Sequence, residues 1–104
     1  MLELNEKNFQ KEVLEETEKA VLVDFWAPWC GPCRMQTPVL EQFATQYGDL
    51  IKVAKFNTDD HHDVPSRYGI MSIPTLILFK NGEPAQKAVG IQNLDALKRL
   101  TGVS

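Results

Sequence analysis

The run AVLVDFW, from Ala20 to Trp26, constrains the fold more than any other stretch of the chain. It is apolar on both of the faces that a β-strand presents, and Asp24 is its only ionisable residue. It reads as a strand buried on both sides. Where it ends, Cys30-Gly31-Pro32-Cys33 follows, and a helical period begins. From Cys33 to Tyr47 that period puts Val39, Leu40, Phe43, Ala44 and Tyr47 on one face. Pro38 should interrupt and kink this helix, and Gly48 ends it.

Helix and strand signals alternate through the rest of the chain, with no internal repeat and no low-complexity linker. Asn5 can cap a helix opened by Glu6, with Leu4 and Phe9 as a hydrophobic staple and Phe9, Val13 and Leu14 as its apolar face. Ile51 to Asn57 alternates as a strand, with Ile51, Val53 and Lys55 on one side. A short helix is expected before Gly69. Thr75–Lys80 and Pro84–Val89 flank Asn81-Gly82, a type I′ hairpin signal. Asn93 caps a last helix carrying Leu94, Leu97 and Leu100. This order predicts an α/β three-layer sandwich around a mixed sheet. The 104 residues are enough for one domain, 1–104, and too few for two.

Composition removes several function classes. The net charge of −3 carries no basic bias, so nucleic acid is not an expected partner. No apolar run approaches the roughly 18 residues of a membrane span. The N-terminus lacks the basic-then-apolar pattern of a signal peptide, so a cytoplasmic protein is expected if Met1 is the natural start.

Cys30 and Cys33 are the only cysteines. A disulfide stabilises mainly by closing a loop in the unfolded chain, and this loop is nearly the shortest possible, so the pair points to chemistry. Positions i and i+3 in a first helical turn bring the two Cβ atoms near disulfide distance. Gly31 relaxes the backbone for closure, and Pro32 suits an opening turn where a missing N–H costs nothing. The helix N-terminus favours a thiolate on Cys30, which makes it a nucleophile, with Cys33 one turn in as the resolving thiol. Inert buried thiols do not explain the Trp, Gly and Pro around the pair. A zinc half-site would need two further ligands, and the only histidines, His61 and His62, are adjacent rather than three to five apart. No metal is expected.

Four blocks in order carry a resemblance over nearly the whole chain: VDFWAPWCGPC, VAKFNTD, YGIMSIPTLILFKNGE and the VG at residues 89 and 90. The sequence resembles the thioredoxin family. That resemblance implies the thioredoxin fold, a five-stranded mixed sheet with four helices, and a cis Ile73-Pro74 bond facing the disulfide. It implies a thiol–disulfide oxidoreductase that reduces disulfides in target proteins and is re-reduced by a flavoprotein thioredoxin reductase drawing on NADPH. No cofactor is expected on the domain beyond the Cys30–Cys33 disulfide, and a monomer is expected.

Asp24, read by simple alternation, could face solvent, but the apolar run on both faces predicts at least partial burial, which raises a carboxyl pKa. The resemblance assigns Asp24 as proton acceptor for Cys33 and Lys55 as the nearby cation. It places Trp26 beneath the site and Trp29 on the surface beside Cys30, with Ile73, Pro74, Val89, Gly90 and Ile91 completing an apolar docking patch for extended segments. The run DDHHD, Asp59 to Asp63, lacks the Gly and distal Glu of a calcium loop; acidic residues entering a helix N-terminus account for its aspartates, and its histidines have no reading. Gln36-Thr37, Pro65 and Leu94 depart from the family pattern without touching the thiols. An oxidant or isomerase of an exported compartment and a non-catalytic binding subunit are the rival readings. The absent signal peptide and the Gly31-Pro32 pair weigh against the former.

Overall fold

The computed structural model describes residues 1–103, so the last residue of the expected 1–104 domain lies outside the described residues. Five strands form one sheet: β1 (Leu2–Leu4), β2 (Ala20–Trp26), β3 (Ile51–Asn57), β4 (Thr75–Lys80) and β5 (Glu83–Val89). Four helices accompany them: α1 (Gln10–Leu14, wound as a π turn), α2 (Gly31–Tyr47), α3 (Asp63–Arg67) and α4 (Leu94–Thr101). The strand order is β1-β3-β2-β4-β5. β2 runs parallel to β3 and antiparallel to β4, β1 is parallel to β3, and β5 closes the hairpin antiparallel to β4.

The position of β2 explains its composition. It pairs on both edges, and a separate apolar cluster covers each face. Val21, Val23 and Phe25 face Phe9, Val13, Phe56, Val64 and Phe79. Leu22 faces Leu40, Phe43, Leu76, Leu78 and Leu97, on the side of α2 and α4. Phe9 anchors the first cluster, with its ring edge-on to Phe56 at 6.0 Å and to Phe79 at 5.8 Å. The expected α/β/α sandwich with a five-stranded mixed sheet is the observed architecture.

Residue patterning alone missed β1 and misread the segment after it. Three residues are too few to display a period of two. Asn5 does cap, accepting from the N–H groups of Lys7 at 2.8 Å and Asn8 at 2.9 Å. The regular helix expected from Glu6 is instead a turn followed by the π-wound α1, closed by Glu15 N–H on the Gln10 carbonyl at 2.9 Å. α2 starts at Gly31, two residues before the expected Cys33, and continues through Pro38. Asn93 caps α4 through Oδ1, which accepts from Ala96 N–H at 2.9 Å.

The hairpin turn has the expected geometry, with Asn81 at φ 51° and Gly82 at φ 78°. Gly82 is required twice over, because a Cβ there would also run into the Leu14 carbonyl oxygen. Gly102, at φ 77°, has open space around its missing Cβ. Gly102→Ala should therefore cost only the left-handed backbone penalty, about 1 kcal/mol, and Gly82→Ala about 2 kcal/mol or more. Guanidinium midpoints of the two variants check this; equal losses would mean that the hairpin moves away from Leu14 freely.

Candidate active site

β2 ends at Trp26, and α2 starts five residues later with Cys30 as its N-cap, in extended conformation (φ −86°, ψ 113°). The Cys30 sulfur accepts from the Cys33 backbone N–H at 3.2 Å, so one otherwise unpaired helix donor points at it. Pro32 lies in the first turn, where no N–H is needed. Cys30 and Cys33 are joined as a disulfide with their Cα atoms 5.2 Å apart. The two sulfurs differ in access: Cys30 keeps 5% of its surface exposed and Cys33 none.

A second loop faces the first. The Ile73-Pro74 bond is cis, and the Ile73 carbonyl oxygen lies 3.8 Å from the Cys30 sulfur. Gly90, at φ 90°, donates its N–H to the Pro74 carbonyl at 2.8 Å, which ties the third loop to the second. Trp29, next to Cys30 in sequence, and Val89, next to Gly90, are 65% and 59% exposed. Ile91, Met35 and Met71 are also exposed, and neither methionine was singled out by sequence reasoning. Trp29 does not swing freely, because its Nε1–H donates to Asp59 Oδ1 at 2.8 Å.

That bond corrects the reading of the acidic run. Asp59 holds Trp29, and only Asp63 lies in the first turn of α3. The N–H groups of Asp63 and Val64 are met by Glu6 Oε1 at 3.0 and 3.3 Å, from 57 and 58 residues earlier in the chain. Among the described residues no three His, Cys, Asp or Glu side chains are grouped to hold a metal ion. His61 sets its ring edge-on to Phe56 at 5.7 Å.

Asp24 is fully buried and lies in register with Lys55 across β2 and β3. Two residues along the strand from Leu22, it shares that residue's face and so faces the α2 side of the sheet. Neither carboxylate oxygen has a hydrogen-bond partner. Burial pushes its pKa up to about 7, and the charge of Lys55 only partly offsets this. Lys55 bonds elsewhere: its ammonium donates to Thr37 Oγ1 at 3.3 Å and lies 3.9 Å from the centroid of the half-buried Trp26 ring. Thr37 in turn donates to the Cys33 carbonyl at 3.3 Å.

A disulfide at a helix N-terminus, a cis-proline loop facing it and a buried carboxyl in the strand that leads to it invite comparison with known proteins. The family model for thioredoxin matches residues 1–101. Thioredoxin of Alicyclobacillus acidocaldarius subsp. acidocaldarius is 52% identical over 95 residues, covering 91% of this chain and 89% of that one. Thioredoxin 1 of Synechococcus elongatus is 54% identical over 87 residues, with 84% and 80% covered, and thioredoxin of Rickettsia felis is 47% identical over 94 residues, with 90% and 89% covered. The chain belongs to the thioredoxin family. It is a thiol–disulfide oxidoreductase whose redox-active group is the Cys30–Cys33 pair. Thioredoxins act on disulfide-bonded targets and are reduced by thioredoxin reductase. Among the described residues no helix is long and apolar enough to cross a membrane.

Sequence reasoning took Gln36 only as a departure from the family pattern and Asp59 as a charge at a helix N-terminus, because the partners of both are distant in sequence. Gln36 is fully buried, and Oε1 accepts from Gln92 N–H at 2.7 Å while Nε2 donates to the Gln92 carbonyl at 2.9 Å. The signal was present: Cys33, Gln36, Leu40 and Phe43 form the buried stripe of α2, and an amide in such a stripe needs partners. Asp59 gave no comparable signal.

The perturbed carboxyl predicts a pH dependence of stability. An unfolded Asp titrates near 3.8, so between about pH 4 and pH 7 the folded state retains a proton that the unfolded chain has released. The resulting stabilisation is complete below pH 4 and is lost as the pH rises to 7, by about 4 kcal/mol in all. Asp24→Asn should remove this decline and be more stable than the parent at pH 8. Guanidinium unfolding from pH 4 to 8 checks both; parallel curves for the two proteins would mean that Asp24 is solvated or well paired.

Proposed function

We propose that this thioredoxin is a general reductant of protein disulfides in which Cys30 attacks and Cys33 resolves. The observation that carries the assignment is the unequal placement of the sulfurs, with Cys30 at the reachable N-cap of a 17-residue helix and Cys33 sealed one turn inside. In the reduced protein the helix dipole and the Cys33 N–H favour the Cys30 thiolate. That thiolate attacks one sulfur of the target disulfide, the target's other sulfur leaves as a thiolate and takes a proton, and a mixed disulfide forms. Asp24 accepts the Cys33 proton, the Cys33 thiolate attacks Cys30, and the target's second sulfur is released and protonated. Two electrons and two protons pass to the target, and the domain becomes the Cys30–Cys33 disulfide. A pKa of about 7 suits Asp24 to accepting and returning a proton near neutrality.

Gly31 and Pro32 tune the pair by fixing how the helix opens. Trp29, Ile73, Pro74, Val89, Gly90 and Ile91 form the docking surface, where an extended target can meet backbone groups of the Ile73 loop. Trp26 and Lys55 support the site from below. Few charges on this surface favour broad choice of target. We place the protein in the cytoplasm, as a monomer acting as one 1–104 unit, re-reduced by a flavoprotein reductase drawing on NADPH.

The division of labour is tested by trapping. Cys33→Ser should accumulate mixed disulfides in cell extract, visible on a non-reducing gel and lost with reductant. Cys30→Ser should trap few or none and should not accelerate insulin reduction by dithiothreitol. Faster alkylation of Cys33 than of Cys30 in the reduced protein, or equal trapping by both variants, would invert the roles.

A further inference from the structure

In the Val89–Gln92 segment the two apolar side chains, Val89 and Ile91, are 59% and 44% open to solvent and Gly90 and Gln92 are half-buried, so side-chain packing does little to hold it. Its order comes from hydrogen bonds. Gly90 N–H reaches the Pro74 carbonyl, and the Gln92 side chain closes the segment on itself by donating to the Val89 and Gly90 carbonyls at 3.3 and 3.1 Å. Among the described residues, Gln36 is the one side chain from outside the segment that bonds to it.

We propose that Gln36 is a positioning residue that clasps this loop to the helix bearing the thiols and thereby sets the affinity for protein disulfides. The proposal rests on reading Val89 to Ile91 as docking residues. The bonding is specific to an amide: one donor and one acceptor meet the C=O and N–H of a single residue, Gln92, as a neighbouring strand would. A carboxylate lacks the donor, Asn lacks the reach, and an apolar side chain lacks both. Gln36 stands three residues after Cys33 on the same buried stripe, so the clasp fixes the loop to the turn that carries the resolving thiol. Without it, the Gln92 N–H and carbonyl lose their buried partner and the loop opens more often. A target would then have to order the loop as it binds, which weakens association without altering the thiols.

The test uses Gln36→Met, which keeps length and apolar volume, with Gln36→Glu as a second variant that keeps an acceptor for Gln92 N–H and loses the donor. Amide exchange read by NMR on the full chain should be at least tenfold faster at Gln92 in the Met variant, with the strand amides of β2 and β3 changing far less. In insulin reduction coupled to a reductase, KM for insulin should rise threefold to tenfold while kcat changes less than twofold, and the Glu variant should fall between the Met variant and the parent. Unchanged Gln92 exchange, or a loosened loop with unchanged KM, overturns the proposal. So does a parallel fall of kcat and kcat/KM, which would mark a structural role alone. Val89→Asp with the clasp intact tests the underlying reading separately: no rise in its KM would remove the loop from the docking surface.

Discussion

β2 is hydrogen-bonded to β3 on one edge and to β4 on the other, while helices cover both of its faces. With no solvated edge or face, its backbone must be fully paired and its side chains are apolar except for Asp24. The three-layer form follows, because each face of the sheet needs its own cover. So does the position of the chemistry. The chain leaving the carboxyl end of a central strand must turn directly into a covering helix, and that turn holds Cys30 to Cys33. The thiols thereby gain a rigid base, a helix N-terminus and a place at the rim of the sheet, where loops from other strands can converge.

Three loops do converge there, and a backbone group takes part in each of the contacts that join them. Ile73 presents its carbonyl to the Cys30 sulfur, Pro74 receives the Gly90 N–H, and Gln92 is clasped by Gln36 from α2. Trp29, Val89 and Ile91 stay exposed and take no part in these contacts, which are made by backbone groups and by the Cys30 and Gln36 side chains. Trp29 instead has its indole N–H held by Asp59.

The polar groups beneath the site are treated in two ways. Gln36 has both ends of its amide satisfied and serves as a structural tie. Asp24 has neither oxygen satisfied, and the cation in register with it is engaged by Thr37 and by the Trp26 ring. An unsatisfied buried carboxyl costs stability when ionised. The same burial brings its titration near neutrality, so the group that costs stability when ionised is also the one that titrates there.

By itself, the sequence determined the strand–helix alternation, the Asn81-Gly82 turn, the Asn93 cap and the paired thiols at a helix start, because each depends on residues within a few positions of one another. The burial of Asp24 was legible for a related reason, since its neighbours on both faces are apolar. The three-residue β1 and the π winding of α1 were not, because Leu2–Leu4 is too short for a periodic signal and draws its order from pairing with Ala54–Phe56. The Trp29–Asp59 bond, the Glu6 cap on α3, the diversion of Lys55 to Thr37 and the Gln36–Gln92 clasp were decided only by the tertiary structure. Each joins residues 18 to 58 positions apart, and a polar side chain does not record in its own neighbourhood which distant partner will meet it.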